Sequence, residues 1–454
     1  MHIFKFFLLI ASILYSQQVH LKLGQNENIV LSEDSNVEGY LDSLIKTNKD
    51  IHHSYKLVSV NGMNPIKVQY IENHELIYID TIFIKDSKEV NNQTYQSLLR
   101  SLLNISSEKD LLQQIKWLES SHKFLQNSIH FAYGKTNSGG FALLLDIIPK
   151  FENNVSGLIG ANRVNNGDWI TNGEIELNLE NIWSTASNSL FHWKRLNEKS
   201  EIISFLHYEP TLWNLPFGLQ IKLDKELRDK EYISQYRDLR IFSNLLRYGK
   251  WFFGSKNLTI IPSDIGYASG LIKHRSSSIL LGLINDTRNH RWIPTNGYYW
   301  NISLSLGKQT EDNIANLKTD LSLNSGIIRE RNSFLSYHIN FYIKGVWVEN
   351  GNIHKGQKFR YGGVNNLRGY RDDQFISSRI IIPSIEILSN IRNDLQLFGF
   401  MDSAIQKEYT PYPLGFGIGI KQVSRSSIIN ATIGFGRGEP ISEAKLHIKF
   451  SSRI

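Results

Sequence analysis

From residue 151 onward the chain is written in short runs of alternating apolar and polar positions, separated by Gly, Asn, Asp and Lys. In YYWNISLSLG (298–307), Trp300, Ile302, Leu304 and Leu306 share one side of a strand, and Asn301, Ser303 and Ser305 share the other, because successive strand side chains point to opposite faces. GEIELNLENIW (173–183), LSYHINFYIKGVWV (335–348), GFGIGI (415–420) and AKLHIKF (444–450) are comparable runs. Ahead of them the period lengthens. SSEKDLLQQIKWLESS (106–121) puts Leu111, Leu112, Ile115 and Leu118 on one helix face, with Ser107 and Asp110 in capping-box positions. A strand at 79–86, a helix around 94–104 and strands at 128–134 and 140–149 surround it, so residues 79–150 read as a β-α-α-β-β unit. Upstream, a helix at 37–47 and strands at 54–60 and 66–72 repeat half of that order, and residues 17–78 read as a truncated copy.

A soluble sandwich alternates too, and the N-terminus changes the picture. Met1–Lys5 is short and basic, Phe6–Tyr15 is apolar, and Ser16 offers a small-residue cleavage point, so residues 1–16 read as a secretory signal peptide. Ten apolar residues are about half of what a membrane-spanning helix needs. Nothing later in the sequence resembles such a helix, so a membrane role requires a β-barrel. Aromatic residues make up 11% of the chain and the mean hydropathy is −0.27. A barrel with an apolar exterior and a wet lumen expects that combination. Sixteen strands over residues 151–454 leave about 19 residues for each strand and its connection, and 14 or 18 strands also fit the arithmetic.

The net charge of +7 is spread along the chain without a basic run, which argues against nucleic acid as a partner. With no cysteine, disulfides and thiolate metal sites are excluded. The fourteen histidines show no metal-binding spacing, and no nucleophile elbow or phosphate loop occurs. No catalytic, cofactor-binding or metal residue is therefore expected, and an enzyme is disfavoured.

FRYGGVNNLRGYRDDQF (359–375) packs glycines and charges between aromatic residues and reads as a loop, which standing alone could be a solvated surface turn. With LGLINDTRNHRWIPTNGYYWNISLSLG (281–307), IEI around Glu386 and FGFMDSA with Phe400 and Asp402, it resembles the Omp85 superfamily in the order of its motifs. The resemblance implies a mainly β fold, a transmembrane antiparallel barrel of sixteen strands over 151–454, preceded by a small α/β POTRA-type domain at 79–150. It assigns Gly362, Gly363, Leu367, Arg368, Gly369 and Tyr370 to a loop-anchoring motif, and Asp286, Arg288, Pro294 and Gly297 to a mid-barrel motif. The chain departs from the family in ending on Ile454, with Phe450 its last ring, and in carrying Ala404 where glycine is usual.

Glu386 shares a parity with Ser384, and Asp402 shares one with Gln396, so both carboxylates are expected to face the lumen. A loop folded inward could set Arg368 between them, where a planar guanidinium can satisfy two carboxylates. The resemblance further implies a protein of the Gram-negative outer membrane, with the POTRA region in the periplasm. Its partners would be the lipid bilayer, unfolded or nascent proteins, and periplasmic chaperones or accessory lipoproteins. It would assemble, insert or translocate other proteins through a seam at Gly157, Gly160 and Phe450, where the two glycines of the first strand are expected to weaken its pairing with the last. A passive pore or structural barrel is the alternative.

Overall fold

The computed structural model describes residues 18–23, 27–32, 40, 43, 54–61, 66–73 and 78–454, less 86–87, 127, 138–139, 164–168, 198, 214, 244–248, 312–313, 407 and 410. The expected signal peptide lies outside the described residues, as does most of the expected helix at 37–47. The chain divides into two compact units, 1–83 with 102–116 and 131–145, and 84–101 with 117–130 and 146–454.

Strands Gln18–Leu23, Glu27–Ser32, Ser54–Asn61 and Ile66–Asn73 form one sheet, in which the first pairs in parallel with the fourth. The sequence pattern predicts only the later two of these strands. Gln18–Leu23 supplies a leading strand, so three of the four strands follow the first–last–middle order of the next sheet. That second sheet orders Ile79–Lys85, Phe141–Ile147 and Ile129–Lys135. Its helices are Asn92–Leu99, opened by the Asn91 side chain accepting from the Thr94 N–H at 2.7 Å, and Glu108–Ser121.

The remaining sheet closes on itself as sixteen antiparallel strands, from Asn154–Arg163 to Lys445–Arg453. Because the number is even, the chain enters and leaves at the same end, called here the near end. In the ninth strand, Gly297–Glu311, Ile302, Leu304 and Leu306 are exposed on the outer face while Ser305 is buried inside. Apolar groups cover the outside because the polar ones fill the lumen. Unheated protein is expected to run faster on SDS gels than heated protein, since a closed ladder resists detergent until it melts. A mobility indifferent to heating would contradict the closed ladder.

Candidate functional site: the lumenal loop and the barrel seam

The connection between the eleventh strand (Leu335–Val348) and the twelfth (Arg379–Arg392) carries the FRYGGVNNLRGYRDDQF segment. Phe359–Tyr361 pairs with Phe375–Ser377, and between them Gly362, Gly363 and Gly369 take φ of +121°, +88° and +90°. Such angles suit glycine. A Cβ on Gly369 would lie 2.4 Å from the Phe435 carbonyl oxygen, so the loop backbone rests directly on the fifteenth strand, Ser427–Gly436. Leu367 is fully buried among Tyr361, Tyr370, Ile380, Ile382 and Ala404. The Tyr370 hydroxyl donates to the Leu414 carbonyl at 3.1 Å and accepts from the Arg437 N–H at 3.1 Å.

Arg368 lies between the two carboxylates. Its Nε donates to Asp402 Oδ2 and its Nη2 to Asp402 Oδ1, both at 2.7 Å, while Nη1 donates to Glu386 Oε1 at 2.5 Å. Its backbone N–H also donates to Asp402, at 3.0 Å. Asp402 is fully buried and Arg368 is 9% exposed, so water screens these contacts little. The guanidinium carbon sits 3.8 Å from the centre of the Phe400 ring, and stacking there adds to the ion pairs. Beyond Arg368 the loop crosses the lumen. Asp372 accepts from Lys194 on the third strand (Asn188–Asn197) at 2.6 Å, and Asp373 accepts from Arg228 on the fifth (Phe217–Arg228) at 3.0 Å. One loop therefore ties opposite walls together.

Residues 287–296 turn the chain at the near end, between the eighth strand (His274–Asp286) and the ninth. Arg288 grips Asp286 through Nε at 2.9 Å and Nη2 at 2.7 Å. Gly297, at φ +122°, leaves no room for a Cβ, which would lie 2.6 Å from Thr287 O. The Pro294 carbonyl accepts from Gln396 at 3.5 Å. Within the same compact unit, Lys123 Nζ lies 3.3 Å from Asp286 and Gln126 donates to the Arg288 carbonyl at 3.1 Å. Burial lowers the Lys123 pKa from the usual ammonium value, and Asp286 opposes that shift.

Two residues absent from the sequence reading join these motifs. His338 Nδ1 contacts Glu386 Oε2 at 2.8 Å, its Nε2 contacts the Tyr299 hydroxyl at 3.1 Å, and Arg288 stacks 4.5 Å from the centre of the Tyr299 ring. A continuous relay thus runs from Arg368 to Asp286. A spacing signal for it exists only once the pairing of His338 with Glu386 is known.

The seam is the place where the first and last strands meet. Ser451, Ser452 and Arg453 pair with Ser156, Val155 and Asn154, and the described pairing stops there. Neighbours elsewhere in the barrel pair over at least 8 positions, as the twelfth and thirteenth strands do. Gly157 and Gly160 pair with Ile175 and Asn172 on the second strand, and Phe450 pairs with Ile429. Gly157 and Phe450 line one cavity of about 260 Å³, together with Glu174, His192, Asp372 and His447.

Glu152 sits beside the closed part of this seam. It accepts from Arg453 on the last strand at 3.1 Å and from the Trp292 indole N–H of the near-end turn, while Arg291 of that turn donates to Glu180 at 2.7 Å. Glu174, Glu176 and His192 bring ligand atoms within 4.8 Å of one another. Lys194 lies 3.5 Å from Glu174 and Lys449 lies 3.0 Å from Glu176, so ammonium groups already supply the positive charge a metal ion would bring.

A closed sixteen-stranded barrel, a loop clamped across its lumen and a short seam define an outer-membrane-type β-barrel protein. A profile of the Omp85 superfamily domain matches residues 177–410, just over half of the chain, and the chain belongs to that superfamily. CdiB from Escherichia coli aligns over 97% of this chain and 90% of its own, with a TM-score of 0.60 at 12% identity. CdiB from Acinetobacter baumannii gives the same coverages with a TM-score of 0.57 at 14% identity. The BamA of Haemophilus ducreyi lacking POTRA domains 1–3 aligns over 92% of both chains, with a TM-score of 0.51 at 12% identity. At these identities the likeness is one of fold. No curated protein sequence matches significantly.

Proposed function

We propose that this protein is an outer-membrane barrel that assembles or translocates other proteins, with residues 79–150 as a periplasmic POTRA domain and the seam as the moving part. The observation that carries the reading is the seam itself, three paired positions at the near end of strands nine and ten residues long. Among the described residues, the seam-facing backbone groups along the rest of both strands have no ladder partner, which suits them to take up an incoming strand by β-augmentation. Substrate binding at the POTRA sheet edge would deliver such a strand. A passive pore has no use for so weak a junction, and a loop tied across the lumen obstructs conduction.

The test uses the absence of native thiols. Ser156 and Ser451 are register partners and both buried, and cross-strand partners lie close enough for a disulfide. A Ser156→Cys/Ser451→Cys barrel should fold, remain heat-modifiable and crosslink on oxidation. Oxidised protein in proteoliposomes should lose most of its ability to assemble or pass unfolded outer-membrane proteins, and reduction should restore it. Full activity of the locked form would rule out lateral opening and favour the passive pore.

A further inference from the structure

Towards the far end, the end away from the chain's entry, the outer face of the fifth to ninth strands carries two largely polar rows. The sixth and seventh strands are Tyr232–Ser243 and Lys250–Pro262. Register places Leu239, Ser255, Ile279 and Leu306 in one outward row, and all but the serine are exposed hydrophobics. One step further out the row reads Leu223, Arg237, Asn257, Ser277 and Lys308, and the next reads Lys225, Gln235, Thr259, Arg275 and Thr310. Arg237, Lys225, Arg275 and Lys308 are all exposed. Apart from Leu223, these two rows hold four cations, hydroxyls and amides, and no carboxylate; apolar side chains return one row further out at Leu227, Ile233 and Ile261.

The cations inside the same strands behave differently. Lys222, Arg240 and Lys256, with Lys318 on the neighbouring tenth strand (Ile314–Glu330), face the lumen, and each lies within 3.5 Å of an aspartate carboxylate. Among the described residues none of the four outward cations has an ion-pair partner, so the lumenal charges are neutralised internally and the outer ones are not. Cations on a lipid-facing surface are costly near the bilayer midplane and tolerated at its edge. On the ninth strand the apolar outer positions run from Tyr298 to Leu306, nine residues, about the length that crosses a membrane when tilted. Lys308 follows at the outer boundary.

We infer that Lys225, Arg237, Arg275 and Lys308 form a docking surface for the phosphate groups of a phosphorylated glycolipid in the outer leaflet. This rests on the outer-membrane reading above, which sets the far end in that leaflet. Arginine forks match phosphate oxygens and lysines add point charges, while Asn257, Ser277, Thr259 and Thr310 offer hydrogen bonds to sugar hydroxyls. Acyl chains of the same lipid would lie on Leu239, Ile279 and Leu306. The surface spans five strands on the side of the barrel away from the seam, so bound lipid would hold the wall still while the seam opens.

The full chain is reconstituted in phosphatidylethanolamine nanodiscs doped with phosphorylated lipid A, dephosphorylated lipid A or phosphatidylglycerol, and retained lipid is counted by native mass spectrometry. Phosphorylated lipid A should be retained at least about fivefold over the other two, given the contribution of each surface cation. Lys225→Gln/Arg237→Gln/Arg275→Gln/Lys308→Gln should abolish the preference while the barrel stays heat-modifiable, and Lys256→Gln should not. The double variants Lys225→Gln/Lys308→Gln and Arg237→Gln/Arg275→Gln, each expected to lose part of it, give the same reading if the quadruple variant does not fold. An unchanged preference in the variants, or equal retention of phosphatidylglycerol, overturns the inference. Cell fractionation separately tests the outer-membrane location, and its failure would leave the nanodisc result standing.

Discussion

Arg368→Ala should lower the unfolding stability of the barrel by about 3–5 kcal/mol, the usual consequence of removing one partner from a buried charge cluster. The substitution strands Asp402, fully buried, with only the Ser384 hydroxyl at 2.7 Å and the loop N–H for company. Glu386 keeps His338 at 2.8 Å, so Asp402 bears most of the loss. The loop should then leave the lumen, exposing Arg371 to trypsin on intact cells. Arg368→Lys should recover only part of the stability, because one ammonium cannot make both 2.7 Å contacts to Asp402 and the 2.5 Å contact to Glu386. A double-mutant cycle with Asp402→Asn should give a coupling of at least about 0.5 kcal/mol. Additive losses, with Arg371 equally sensitive to trypsin in wild type and variant, would mean that the ion pairs do not hold the loop.

The clamp was legible because parity along a strand is a local property. Ser384 and Glu386, or Gln396 and Asp402, declare a shared face without knowledge of any partner strand. The relay through His338 and Tyr299 was not legible, because it depends on which residue of the eleventh strand stands opposite Glu386. A single step in register would have turned His338 to the outer face. Strands Gln18–Leu23 and Glu27–Ser32 escaped notice for a different reason. Gln18–Leu23 directly follows the stretch read as a signal peptide, and in Glu27–Ser32 the apolar residues Ile29, Val30 and Leu31 are consecutive, so no period of two stands out there. The glycines at 157 and 160 mark the correct strand, yet the ladder ends before reaching either. Where pairing stops is set by the closure of the whole barrel, and no short stretch of sequence encodes that.

The near-end turn carries the same lesson into function. It leaves the barrel between the eighth and ninth strands, half the circumference away from the seam, and still reaches Glu152 through Trp292. Glu152 in turn holds Arg453, the last paired residue of the final strand. Glu152→Ala should therefore loosen the seam without melting the barrel. The lost contact to Arg453 is charge-assisted and worth about 1.5–3 kcal/mol, nearer the lower figure because both side chains are 25% exposed. If the seam opens by local unpairing, that loss multiplies the open population roughly tenfold. A Ser451→Cys reporter, buried at the seam in the closed state, should react with a bulky maleimide roughly ten times faster in the Glu152→Ala background. Glu152→Gln, which can still accept from Trp292, should fall between the two. Heat-modifiability should move little in either variant, since the other fifteen junctions keep at least 8 paired positions each. Equal labelling rates in all backgrounds would show that the turn lies across the mouth without restraining the seam, leaving the three ladder pairs as its sole closure.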